Sequence, residues 1–179
     1  MYRLQDVLKP YENNKNTTFK FREGENKIRI VSRLIPYTNY YQGRKNFKLV
    51  CYVIDRNDEF IDDGKNQKNV KIKLAFLPYT IAKQIQVFQE DSEYGFDDFP
   101  MPYDLLINAK NAGTIDVEYT LLPRPFSKLT PEEEKALSQK IDIEELVKKM
   151  EEDQKQLVEI EENNESENPL EIYDNESEM

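Results

Sequence analysis

Residues 17–32 read TTFKFREGENKIRIVS. Phe19 and Phe21 alternate with Lys20 and Arg22, Glu23-Gly24-Glu25-Asn26 interrupts, and Ile28 and Ile30 then alternate with Lys27 and Arg29. A period of two is the mark of an extended chain with one apolar and one polar face. Two strands around a turn are therefore expected, with the apolar set inward and the basic set on the opposite face.

Moving outward along the chain, NFKLVCYVID (46–55) is rich in strand formers and puts Lys48 and Tyr52 on one face. Residues 61–69, IDDGKNQKN, form a polar turn or loop. VKIKLAF (70–76) gives a fourth strand, with Val70, Ile72, Leu74 and Phe76 opposite Lys71 and Lys73. In 77–91 the period changes: Ile81, Ile85 and Phe88 share a helical face behind Pro78, which suits a helix start. An acidic, aromatic loop, DSEYGFDDFPMP (91–102), precedes a hairpin, YDLLINAKNAGTIDVEYTLLP (103–123), turning near Asn111-Ala112-Gly113. Four strands, a short helix and a closing hairpin predict a mainly β fold: a small, antiparallel, partly closed OB-like barrel over residues 1–129.

After this domain the character changes. Thr130-Pro131-Glu132-Glu133 fits a capping box with proline at the first helical position. Leu137, Ile141, Leu146, Val147 and Met150 make a partial apolar stripe, so 130–160 is expected as a charged helical segment, broken near Asp142. Residues 161–179 carry 8 acids and no base, and are expected as a disordered acidic tail.

Charge follows the same division. Residues 1–83 hold 17 Lys/Arg against 9 Asp/Glu, 84–129 hold 3 against 8, and 130–179 hold 5 against 18. The formal net charge of -10 thus hides a basic first half and a strongly acidic end, a pattern that goes with nucleic-acid binding beside an acidic tail. No apolar run is long enough to span a bilayer, and the N-terminus lacks the apolar stretch of a signal peptide. A soluble protein that stays in the cytoplasm, of a host cell if viral, and makes no membrane contact is expected.

Histidine is absent and Cys51 is the single cysteine. That excludes an internal disulfide, Ser-His-Asp and Cys-His catalysis, and a tetrahedral N/S zinc site. An EF-hand loop starting at Asp91 would need glycine and glutamate where Phe96 and Pro102 stand; one starting at Asp55 meets Phe60 and Asn66. No P-loop or Gly-x-Gly-x-x-Gly occurs. The expectation is a chain that is not an enzyme and carries no metal or cofactor.

The basic and aromatic residues form the better constellation. Lys20, Arg22, Lys27, Arg29, Lys48, Lys71 and Lys73 would stand on the outer face of neighbouring strands. Tyr37, Tyr40, Tyr41, Phe47 and Tyr52 lie on or beside that surface, with Arg33, Arg44 and Lys45 between them. Single-strand binding needs this composition: cations follow the phosphates and rings stack on unpaired bases. In the tail, Pro169, Leu170, Ile172 and Tyr173 offer a short apolar anchor for a partner.

The stretches FKFREGENKIRIVS, VKIKLAFLPYTIAKQI and PYDLLINAKNAGTIDVEYTLLPRPFSKLTPEE resemble the OB-fold single-stranded DNA-binding (helix-destabilising) proteins of tailed phages, over roughly residues 17–135. The last stretch is the most specific: a Tyr-Asp-led strand, a Lys/Gly turn, a second strand rich in Thr and Tyr, Pro-x-Pro and a capped acidic helix. Members often carry a His/Cys zinc ribbon between the early strands; this sequence lacks the ligands. The resemblance implies cooperative coating of single-stranded DNA, with self-association on the strand, during phage DNA replication, recombination and repair. It also implies that the acidic tail binds replication proteins such as polymerase, helicase or primase. The alternatives are an acidic interaction protein or nucleic-acid mimic, favoured by the net charge and opposed by the basic first half, and a carboxylate-metal nuclease, which has only unpatterned acids behind it.

Overall fold

The computed structural model describes residues 18–41, 43–57 and 70–166, together with Leu4; for 39–41 and 157–166 the description is of the backbone. Two compact units divide the chain, Met1–Ile143 and Glu144–Met179. The first is a six-stranded antiparallel sheet with helices: β1 (Gly24–Ile30), β2 (Ile35–Tyr41), β3 (Arg44–Asp55), β4 (Ile72–Leu77), α1 (Tyr79–Gln89), β5 (Tyr103–Lys110), β6 (Glu118–Phe126) and α2 (Pro131–Ser138). The second unit contains α3 (Ile143–Ser166), apart from its first residue. Among the described residues, no helix is long and apolar enough to cross a membrane.

β3 organises the sheet. β4 pairs along one side of it (Leu49↔Leu77 to Ile54↔Ile72), while β1 and β2 lie end to end along the other. Ile30 pairs with Val53 and Ile35 with Val50, so the chain between them bulges against β3. The Val31 N–H reaches the Tyr52 carbonyl at 3.0 Å and the Ser32 hydroxyl accepts from the Tyr52 N–H at 2.7 Å, which keeps the bulge hydrogen-bonded. On its far side β1 pairs with β5, and β5 with β6.

The order β4-β3-β1-β5-β6 leaves the sheet open: it is not closed into a barrel, and no ladder joins β4 to β6 among the described residues. Both strands at this seam have other partners. Thr18 forms an isolated parallel bridge to Leu74, and the Phe19 N–H donates to the Leu74 carbonyl at 2.8 Å. On the β6 side, Gln84 of α1 donates to the Tyr119 carbonyl at 2.9 Å and accepts from the Leu121 N–H at 3.2 Å. Backbone groups that a β4–β6 pairing would satisfy are thus met by one short segment and one side chain.

Several expectations about strands need correcting. Residues 17–32 do not make a hairpin: Thr18 touches β4, and β1 begins at Gly24, inside the expected turn. Asn26 is buried there and its side-chain nitrogen donates to the carbonyls of Arg22, Gly24 and Ile107, so a polar residue holds the bend into the strand. β2 is a further strand in a stretch where the sequence pattern predicts none. In β4 the inward face is the reverse of the one expected: Ala75 and Leu77 join the core cluster with Cys51, Val53, Ile28, Ile30, Leu105 and Ile107, while Ile72, Leu74 and Phe76 occupy the other face. The α1 face fits, with Ile81 and Ile85 buried, as does the hairpin turn, where Asn111 (φ 61°) and Gly113 (φ 79°) adopt left-handed conformations.

The C-terminal helices start and break where the sequence indicates, but the last one runs further than expected. The Thr130 hydroxyl accepts from the Glu133 N–H at 3.2 Å, and the Glu133 carboxylate accepts from the Thr130 N–H at 3.3 Å, completing the capping box ahead of Pro131. The break falls between Ser138 and Ile143. α3 continues to Ser166, into the segment expected to be disordered, and the tail anchor Pro169, Leu170, Ile172 and Tyr173 lies outside the described residues.

Candidate nucleic-acid interface

The outer face of β1 and β3 is not the open basic surface that alternation predicted. Val50, Tyr52 and Ile54 are buried on it as thoroughly as Cys51 and Val53 on the other. The chain after β6 contributes to the cover: the Tyr52 phenol donates to the Ile141 carbonyl at 2.9 Å. Its removal from water, reinforced by the charge of Asp142, raises the phenol's pKa.

Arg29 is the clearest displacement. Its side chain is 1% exposed, and its guanidinium is used inside the protein. Nε donates to Asp104 Oδ1 at 2.6 Å, Nη1 to the Met101 and Ser127 carbonyls, and Nη2 to the Ser127 hydroxyl. Asp104 Oδ1 also accepts from Arg56 at 3.3 Å, and Arg56 Nη1 stands 2.8 Å from the buried Glu133 carboxylate. That last approach lacks hydrogen-bond alignment, leaving Glu133 Oε2 without a hydrogen-bond partner; the contact is electrostatic. A buried cation needs this degree of pairing and hydrogen bonding. Arg29 therefore ties the start of the C-terminal segment to the sheet and is not presented to a ligand.

The other candidates separate by position. Lys73 is mostly covered, and its ammonium is 3.2 Å from the buried Asp55 carboxylate, which Arg22 also approaches at 3.8 Å. Arg33 makes a two-point contact with Asp98 at 3.0 and 2.7 Å, holding that exposed carboxyl at a pKa of about 2. Tyr37 is buried, its ring packed against Phe76 at 6.2 Å. Lys20 and Lys71 are exposed and Lys27 is half-buried, each on a different segment. Arg29, Tyr37 and Tyr52 thus do not stand on an accessible platform, because the face they occupy is the inside of a second packed layer.

What the fold does bring together is the β2–β3 hairpin. The register sets Tyr37 opposite Lys48, Thr38 opposite Phe47, Tyr40 opposite Lys45 and Tyr41 opposite Arg44. Directly opposed residues on an antiparallel pair share a face, so aromatic and cationic positions lie side by side along this arm. Arg44, Lys45 and Phe47 are exposed, Phe47 to 48%, and Lys48 is half-buried. Between residues 34 and 54 there is no Asp or Glu. Phe47 shares the face of Cys51 and Val53 along β3 but is exposed, because the arm runs past the core that buries those two.

Sequence reading missed the cover over the outer face. Its signal was the unbroken apolar run from Leu49 to Ile54, which marks a strand buried on both faces. Alternation measured from Lys48 and Tyr52 masked it. Compared with protein-family models, curated proteins and solved structures, the chain matches none.

Proposed function

We propose that the chain is a non-enzymatic single-stranded DNA-binding protein that grips the strand with its β2–β3 hairpin. The observation that carries the reading is the register of that hairpin, which intersperses Tyr40, Tyr41 and Phe47 with Arg44, Lys45 and Lys48 on an acid-free stretch of an acidic chain. Cations along such an arm follow the phosphate backbone, and an exposed ring stacks on an unpaired base. The strand order supports an OB-like reading: β1 and β2 as one bent strand beside β3 and β4, a helix, then a hairpin pairing back onto β1, with the closing seam left open. In such folds the strand 2–3 face and the hairpin loops hold oligonucleotides. Here part of that face is buried, which shifts the contact to the protruding arm.

The role follows from the chemistry. Coating of single strands during replication, recombination and repair, in a phage-like system, needs affinity without base readout, and the arm has rings and charges for this. The acidic C-terminus is the proposed recruiter of replication proteins. The test is the triple variant Arg44→Gln, Lys45→Gln and Lys48→Gln in a salt titration on a deoxythymidine oligonucleotide. Loss of three phosphate contacts at roughly 0.7 each should lower the log–log salt slope by about 2. An unchanged slope would remove the arm from the interface.

A further inference from the structure

We propose that Phe126, flanked by Arg124 and Lys128, is a second base-stacking platform for the same strand; this rests on the single-strand-binding reading above. β6 leaves its regular register at its end: Leu105 pairs with Pro123 but Tyr103 pairs with Phe126, so β6 carries an extra residue there. A bulge re-aims the side chain that follows it. It sets the Phe126 ring at the margin of the core, edge-on to Tyr103 at 5.2 Å and parallel to Tyr94 at 6.3 Å, with 55% of the residue still exposed.

The ring is also firmly mounted. The Tyr103 phenol donates to the Tyr94 carbonyl at 2.9 Å, and the Tyr94 N–H donates to Asp91. The next residue, Ser127, donates its N–H to the Pro102 carbonyl and accepts Arg29 through its carbonyl and hydroxyl. An exposed ring packed from beneath and anchored at the residue that follows it loses little freedom when a base stacks on it.

Charge favours a nucleic acid over an apolar partner. Residues 119–131 hold Arg124 and Lys128 and no acid, in a chain of net charge -10. Both cations are exposed, and neither is paired with a carboxylate among the described residues. A ring between two cations two residues away on either side matches the alternation of base and phosphate in a single strand.

The experiment has two arms. Wild-type full-length protein is irradiated with an oligonucleotide carrying 5-iododeoxyuridine, and the cross-linked peptides are mapped by mass spectrometry. In parallel, anisotropy titrations compare wild type, Phe126→Ala, Phe126→Tyr and Phe47→Ala, with melting checked for each. Expected are cross-links on the peptide containing Phe126, about a tenfold loss of affinity for Phe126→Ala, and recovery in Phe126→Tyr. Cross-links confined to other peptides, with Phe126→Ala binding as wild type while Phe47→Ala weakens, would overturn the second platform and leave the single-strand reading standing. No binding by the wild type would overturn both.

Discussion

The Tyr52 phenol donates a hydrogen bond to the Ile141 carbonyl across 2.9 Å, joining the middle of β3 to the turn between α2 and α3. A tyrosine that sequence alternation sets out for ligand is thereby part of a second packed layer. Truncating it should damage the fold more than the binding. Tyr52→Ala is expected to destabilise by about 3–5 kcal/mol, and Tyr52→Phe by about 1 kcal/mol for the lost hydrogen bond. Urea denaturation measures both; a fully stable Tyr52→Ala with weakened DNA binding would return Tyr52 to the interface.

Arg29 gives a sharper case. Removing the guanidinium strands Asp104 beside Arg56 alone and leaves the Ser127 carbonyl without its donor. Arg29→Ala should destabilise by about 3–5 kcal/mol, as breaking a buried pair does. In conditions where the variant stays folded, its affinity for single strands should match wild type. Weaker binding with unaltered stability would show the cation to be a ligand contact.

Gln84 substitutes for a strand at the open seam. Gln84→Ala removes one donor and one acceptor from β6 and is expected to cost about 1–3 kcal/mol. Hydrogen exchange should rise first at the Leu121 amide. Unaltered protection there would mean the seam is satisfied without the side chain.

Tyr103 makes the fold sensitive to alkali. Burial first, then the charges of Asp91 and Tyr94, push its pKa from the ordinary 10 up to about 12. The native state therefore holds this proton more tightly than the unfolded chain. The stabilisation is fully present below pH 10 and is lost as pH rises from 10 towards 12. Melting temperature should fall across that window, and less steeply in Tyr103→Phe; equal slopes would contradict the assignment.

The acidic end yields a prediction about salt. A tethered polyanion competes with phosphates for nearby cations at high effective concentration. Deleting 161–179, with 8 acids and no base, should tighten single-strand binding, most visibly at low salt. It should also abolish capture of replication proteins through Pro169, Leu170, Ile172 and Tyr173. Unchanged affinity at low salt and unchanged partners would show the segment to be a solubilising extension.

Much of the fold was legible because local rules and packing agree there. Ile81 and Ile85 in α1, the Asn111–Gly113 turn and the Thr130–Glu133 capping box each follow from a pattern a few residues long. The failures lie where a distant segment decides. Arg29 and Tyr52 alternate as surface residues, yet Ser127 and Ile141, far along the chain, supply the partners that make burial favourable. The β4 faces reversed because Ala75 and Leu77 alternate as regularly as Ile72, Leu74 and Phe76, and only the pairing with β3 selects the inner set. Phe126 gave no periodic signal, since the bulge that aims it breaks the period.

On the proposed reading, the rings receive unpaired bases. This is tested most directly by competition between a deoxythymidine oligonucleotide and a duplex of equal length for the full-length protein, followed by anisotropy across a salt series without magnesium. Tighter binding to the single strand, steep weakening with salt and no cleavage of either nucleic acid are expected. Equal or tighter binding to the duplex would contradict the reading.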